Sequence, residues 1–320
     1  MTIDHTTHPH IIPAILAECD LPTTVAFRGT SRAFRDAVDA KLFAHVALYE
    51  LPSDTSPGQG GDPFRDTAVL RFVRPWDYRD GATSPPPHFL PNAPAAVRVL
   101  DLDRAYWFDY GACTSLRIVR RANDAVGSAT ASFNSLISDG SLRCVVDFAT
   151  LYGGSNETLV VPGGLMRYVL HLRWEASQQG HRAAIDLDVH NCPEPVPEEM
   201  VLVLHFPVGP LPENTIAFSL GQIMDYMFPV LTQGGSVRIV GVEEHGGQDL
   251  RQILKDVLVN TWRMAWWLDE GNDDERLTAF ASLVEFMSVD EWHAELNEEG
   301  REDGLDAYEL QAVWPGYATA

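Results

Sequence analysis

Apolar residues change their spacing along this chain. Ile11, Ile12, Ile15 and Leu16 recur at i, i+1, i+4 and i+5, which is one face of a helix. Pro13 fits the first turn of such a helix, where its missing N–H is not needed. Asp20, followed by Leu21-Pro22, stops that helix and starts a second one carrying Val25 and Phe27. Gly29 is expected to end the second helix, and Thr30 or Ser31 to cap a third. In the third helix Phe34, Val38 and Leu42 stand at i, i+4 and i+8, with Ala37 beside them. Residues 9–48 therefore form three short helices that bury too little surface to be comfortable alone.

Residues 51–64 and 81–94 are rich in Pro, Gly, Ser and Asp and read as loops or linkers around one strand, AVLRFV at 68–73. From Val97 short apolar runs take over. VRVLDL (97–102), LRIVRR (116–121), LRCVVDF (142–148), MRYVLHL (166–172) and VRIVGV (237–242) each begin with an apolar residue, Arg, any residue and an apolar one. AAIDLDV (183–189) and VLVLHF (201–206) are two more such runs. The first four begin 19, 26 and 24 residues apart, a spacing suited to a strand and its return repeated along one sheet. Residues 125–137 and 215–231 have helical patterns, so the expectation is an α/β arrangement with a mostly parallel sheet. The end is helical: 249–262, 275–287, and a last helix opened by a capping box of Ser288 and Glu291. Beyond Asn297 an acidic, frayed tail is expected. The predicted organisation is a helical module at 1–50, a linker with the first strand at 51–96, a repeat-like α/β domain at 97–296 and a tail at 297–320.

Composition narrows the function. The formal charge is −22 and the pI near 4.7. Phosphate contacts need Lys and Arg, and no basic run exists, so nucleic acid is not expected as a partner. From Asp249 onward 17 acidic residues face 5 basic ones, an excess expected to lie on a solvated surface. Only Lys41 and Lys255 are lysines, which removes most catalytic lysines from consideration. No apolar run approaches the ~20 residues that span a bilayer. MTIDHTTHPH lacks the basic and apolar regions of a signal peptide. Cys19, Cys113, Cys144 and Cys192 are scattered without a C-x-x-C pair, as in a reducing compartment. Cytoplasm or nucleus is the expected location.

Candidate chemistry is sparse. Gly234-Gly235 before VRIVGV has the look of a late helix–turn–strand in a Rossmann-type sheet, but no G-x-G follows the first strand, and a helix C-cap explains the pair. Asp101-Leu-Asp103 and Asp186-Leu-Asp188, with His190 nearby, have the form of a strand-end metal site. Alternating Asp and apolar residues also mark a strand with one face in water, and that reading is preferred. IDLDVHN (185–191) matches the L-x-L-x-x-N core of a leucine-rich repeat. His5, His8 and His10 read as part of a mobile tail, and Trp262, Trp266 and Trp267 as core or interface. No catalytic residue, metal ligand or cofactor is assigned.

The block from Pro9 to Phe43 resembles an F-box, here of the divergent fungal type. The resemblance rests on Pro9 with Ile11, Ile12, Ile15 and Leu16, on Leu21-Pro22 and Val25, and on Arg28, Ser31, Arg32, Phe34, Arg35 and Phe43. The usual opening Leu-Pro is His8-Pro9 here, a frequent Trp is Phe34, and the acidic residue after the proline is missing. The resemblance implies a substrate-recruiting adaptor that docks onto the Skp-type linker of a cullin–RING ubiquitin ligase while the remaining domain holds a protein target. The implied partner-binding residues are Pro9, Ile12, Ile15, Leu16, Leu21, Pro22, Val25, Arg28, Ser31 and Phe34. The later part of the chain resembles degenerate leucine-rich repeats. The alternatives are an interaction scaffold with a vestigial F-box, a metal-dependent hydrolase or a Rossmann-type enzyme.

Overall fold

The computed structural model describes residues 10–19, 21–42, 45–50, 68–72, 97–102, 113–122, 140, 142–151, 156–159, 161, 164–174, 184–187, 196–205, 223–224, 227–242, 247–265 and 274–303. The chain divides into two compact units, one of residues 1–100, 107–116 and 318–320, the other of 101–106 and 117–317.

The first unit contains the three expected helices, α1 (Ile11–Ala17), α2 (Leu21–Phe27) and α3 (Arg32–Leu42). Ile12 and Leu16, one turn apart on α1, meet Val38 of α3 in the interior, with Phe27, Ala33, Phe34 and Ala37 packed around them. The second helix closes two residues before Gly29, where the Thr30 N–H and hydroxyl both donate to the Phe27 carbonyl, the hydroxyl at 2.7 Å. Ser31 then caps α3, its Oγ accepting the Phe34 N–H at 3.2 Å. Strands β1 (His45–Glu50) and β2 (Ala68–Phe72) pair as an antiparallel ribbon.

The second unit is an α/β domain around a seven-strand, all-parallel sheet. Its strands are β3 (Val99–Leu102, of which Asp101 and Leu102 fall in this unit), β4 (Ile118–Ala122), β5 (Cys144–Leu151), β7 (Arg167–Trp174), β9 (Glu199–His205), β10 (Ser236–Val240) and β11 (Glu285–Met287). Their order across the sheet is their order along the chain, with no reversal. Strands β6 (Asn156–Leu159) and β8 (Ala184–Leu187) pair with each other in a separate two-stranded sheet. This corrects the expectation that IDLDVHN continues the main strand series. Residues 125–137 and Asn191-Cys192 lie outside the described residues.

Both faces of the main strands are buried. Met200, Val201, Leu202, Val203 and Leu204 are each at most 2 % exposed, the pattern of a parallel sheet covered on both sides. Helical residues 227–232 run into β10 through Gly234-Gly235. Gly234 has φ +85°, its N–H donates to the Leu231 carbonyl and that of Gly235 to Val230, which is a Schellman close. A Cβ on Gly235 would stand 2.7 Å from the Glu198 carbonyl. The glycine pair is thus the helix C-cap expected from the sequence.

Helix α4 (Gly247–Ala265) buries Leu250, Leu254, Leu258 and Trp262, and the Trp262 indole N–H donates to the Met224 carbonyl. Helix α5 (Asp274–Leu283) is shorter than the 275–287 pattern predicts. Residues 285–287 leave the helical path and pair with β10, Arg238 opposite Glu285 and Val240 opposite Met287. The capping box forms as expected, Ser288 Oγ accepting the Glu291 N–H at 3.1 Å while Glu291 Oε2 accepts the Ser288 N–H at 2.8 Å. The helix it opens, α6 (Val289–Asp303), runs past the expected fraying point at Asn297. No helix among the described residues is long and apolar enough to cross a membrane.

Candidate functional site

The residues singled out in the N-terminal block divide among different tasks. Ile12 and Leu16 are interior, 8 % and 2 % exposed. Ile15 and Phe34 are half-buried, and the Phe34 ring stacks on Phe27 with centroids 4.9 Å apart. Arg28 is occupied within the block: Nε donates to Asp39 Oδ1 at 2.6 Å and Nη2 to Oδ2 at 3.2 Å. Hydrogen bonding to Asp39 outweighs desolvation there and pushes the Arg28 pKa above its ordinary value. The pair links the residue that follows α2 to α3. Ser31 is exposed and acts as the cap described above. Leu21, Pro22 and Val25 lie on α2, their side chains outside the described residues, as is Pro9.

The α/β unit carries polar groups that alternation along its strands does not reveal. Asp101, Arg120, Arg121, Asp147 and His171 are all no more than 1 % exposed. The expectation that strand aspartates mark a solvent face is therefore corrected for Asp101, which meets Arg120 inside the fold, and Asp147 likewise meets Arg121 there. On one face Arg121 Nε donates to Asp147 Oδ1 at 2.7 Å and Nη2 to Oδ2 at 2.6 Å, and the Tyr168 hydroxyl donates to Oδ2 at 2.7 Å. Burial disfavours the Arg121 charge, but Asp147 more than offsets this and the pKa is raised. Such a bidentate, desolvated pair is held by its geometry, and losing one partner strands the other.

The opposite face carries a polar and aromatic row running across five strands. Asp101 Oδ1 lies 3.4 Å from Arg120 Nε, and the Arg120 guanidinium sits 5.2 Å from the centre of the Phe148 ring. Phe148 stacks on His171 at 4.8 Å, and His171 stacks on His205 at 5.4 Å. At the other end of the same face Arg238 bridges Glu199, Glu285 and Glu295, while Arg167 pairs with Glu199 and lies over the ring of Trp292. That network fastens α6 to the sheet.

Sequence did contain a signal for the histidines: Val-Leu-His-Leu at 169–172 and Val-Leu-His-Phe at 203–206 repeat one pattern. Of the strand-end acids, Asp186 lies on β8, and Asp103, Asp188 and His190 lie outside the described residues, as do His5, His8, Trp266 and Trp267. Among the described residues no three of His, Cys, Asp and Glu gather as metal ligands, and no disulfide forms. No protein-family model matches this chain, and neither a curated protein nor a solved structure resembles it at a significant level.

Proposed function

We propose that this chain is a substrate-recruiting adaptor, docking through its N-terminal helices onto the Skp-type linker of a cullin–RING ubiquitin ligase and holding a protein target with its α/β unit. One observation carries the reading: among the described residues, the buried apolar interior around which α1, α2 and α3 gather consists of Ile12, Leu16 and Val38. Half-buried Ile15 and Phe34 remain at its margin. A bundle with so small an interior gains by laying apolar side chains on a partner, each buried Leu or Phe contributing roughly 1.5–3 kcal/mol. The F-box resemblance supplies the identity of that partner.

In the α/β unit residues 185–187 of the leucine-rich-repeat match stand apart in the β6–β8 pair, while the main strand order runs without reversal, as in a repeated strand-and-return series. It offers no switch point of the kind at which open α/β sheets bind nucleotides. Since both strand faces are buried, target binding falls to sheet edges and helices rather than to an open concave face.

The test is capture of purified Skp linker by the full chain at micromolar concentration. Leu21→Asp is expected to abolish capture while the circular-dichroism spectrum stays that of the unchanged chain. A wild-type chain that never captures the linker, or a Leu21→Asp variant that captures it equally well, ends the proposal.

A further inference from the structure

The arginines that open the strand runs go to different uses. Arg167 and Arg238 lie within β7 and β10 and pair with Glu199. Arg117 and Arg143 instead stand immediately before β4 and β5, at the N-terminal rim of the sheet. The Arg143 N–H donates to the Arg117 carbonyl, and the Arg167 N–H to the Arg143 carbonyl, so the rim continues to Met166, just before β7. Glu198, just before β9, comes next, its N–H donating to the Leu165 carbonyl. The cationic part of the rim is thus confined to β4 and β5.

Like charges on neighbouring strands, whose backbones run about 4.8 Å apart, repel each other. Arg117 is half-buried and Arg143 exposed, and among the described residues neither guanidinium has an ion pair or a hydrogen bond. Such a pair stands out in a chain where 45 acidic residues face 23 basic ones. Arg28, Arg120, Arg121, Arg167 and Arg238 each meet a carboxylate. Beside the pair, Met166 is 51 % exposed. We propose that this rim binds an acidic segment of a protein target, with carboxylates set on Arg117 and Arg143 and an apolar side chain of the segment covering Met166.

The inference rests on the adaptor reading only in calling the partner a target. A carboxylate between the two arginines cancels their repulsion, and Arg117, already half-buried, loses little further freedom on binding. Net charge sharpens the selectivity. At −22 the molecule as a whole repels an acidic peptide, so capturing one requires a local cationic site.

The experiment is fluorescence anisotropy of a labelled peptide of Asp, Glu and Leu with the full chain, and a peptide carrying Asn and Gln at the acidic positions as control. Saturable binding of the acidic peptide that weakens with salt is expected, and none of the control. Arg143→Glu, at an exposed position, is expected to weaken binding roughly tenfold, the worth of one charge-assisted contact. Arg32→Glu changes the net charge equally on the other unit, where the Arg32 side chain is 93 % exposed, and is expected to leave binding unchanged. No preference for the acidic peptide, an Arg143→Glu variant that binds it as well as the wild type, or equal losses from Arg143→Glu and Arg32→Glu overturns the proposal. The Skp linker takes no part in this measurement, so a chain that binds the peptide and not the linker ends the adaptor reading while supporting this site.

Discussion

In residues 11–42 three helices close over Ile12, Leu16 and Val38, whereas in the α/β unit the single strand β9 buries five consecutive residues from Met200 to Leu204. The difference follows from element geometry. A helix of seven residues, such as α1, presents about one core side chain per turn. A parallel strand covered on both faces contributes every residue it has. The α/β unit can therefore enclose charged groups, because the surrounding apolar burial offsets their desolvation. The helical block keeps its ion pair, Arg28 with Asp39, about a third exposed on each side, where a pair is worth about 1 kcal/mol or less. One region draws its interior from whole strands, the other from single helix faces.

The sharpest way to break this comparison is at Asp147. Asp147→Asn leaves Arg121 buried against a neutral amide and is expected to cost about 3–5 kcal/mol of stability in urea unfolding. Replacing the whole group, Arg121→Met with Asp147→Leu and Tyr168→Phe, should recover most of that loss, since no buried polar group is then left alone. A loss under about 1 kcal/mol for Asp147→Asn would mean that the pair contributes as little as a surface one.

A smaller and more local effect is expected from Leu16→Ala. Removing an interior side chain, a change worth about 2–5 kcal/mol in a full core, should abolish hydrogen-exchange protection across α1 and α3. Amides of Cys144–Ala149 should keep theirs. Protection lost equally in both places would show that the two regions do not differ in the way their interiors imply.

The smallest effect is the response to acid in α6. Burial holds His293 below its ordinary value of 6.5, with Asp290 pulling the other way. The unfolded chain then binds the proton more readily, so this contribution is present above about pH 6.5 and is lost as the pH falls through the folded value. Glu291 is held below 4.5 by the Ser288 N–H and hydroxyl, so its contribution is present above about pH 4.5 and is lost below it. Urea unfolding across this range should show two shallow acid steps, the upper removed by His293→Gln and the lower by Glu291→Gln. A profile that neither substitution alters refutes the assignment.

Much of the local structure was legible along the chain. The Ser31 cap, the Ser288–Glu291 box and the Gly234-Gly235 close each act within five residues, so the groups that interact are visible together. Strands β3, β4, β5, β7, β9 and β10 were legible because continuous apolar runs of that length suit a sheet buried on both faces. The N-terminal block was legible as a helical pattern, and Arg28 and Ser31 have tasks inside that block.

What the amino-acid sequence by itself determined, then, was the place and kind of most elements and how several of them end. Tertiary structure alone decided which polar residues meet. Arg121 and Asp147 are 26 positions apart and His171 and His205 are 34; only strand register joins them, and Asp101 reads as a wet-face residue until Arg120 is placed beside it. It also decided that residues 285–287 extend the sheet rather than α5, since an apolar run that fits either shape takes the one whose backbone partner is waiting, here β10. The physical reason is common to both cases: capping and periodicity act between near neighbours in the chain, while pairing and burial depend on residues the chain brings back from far away.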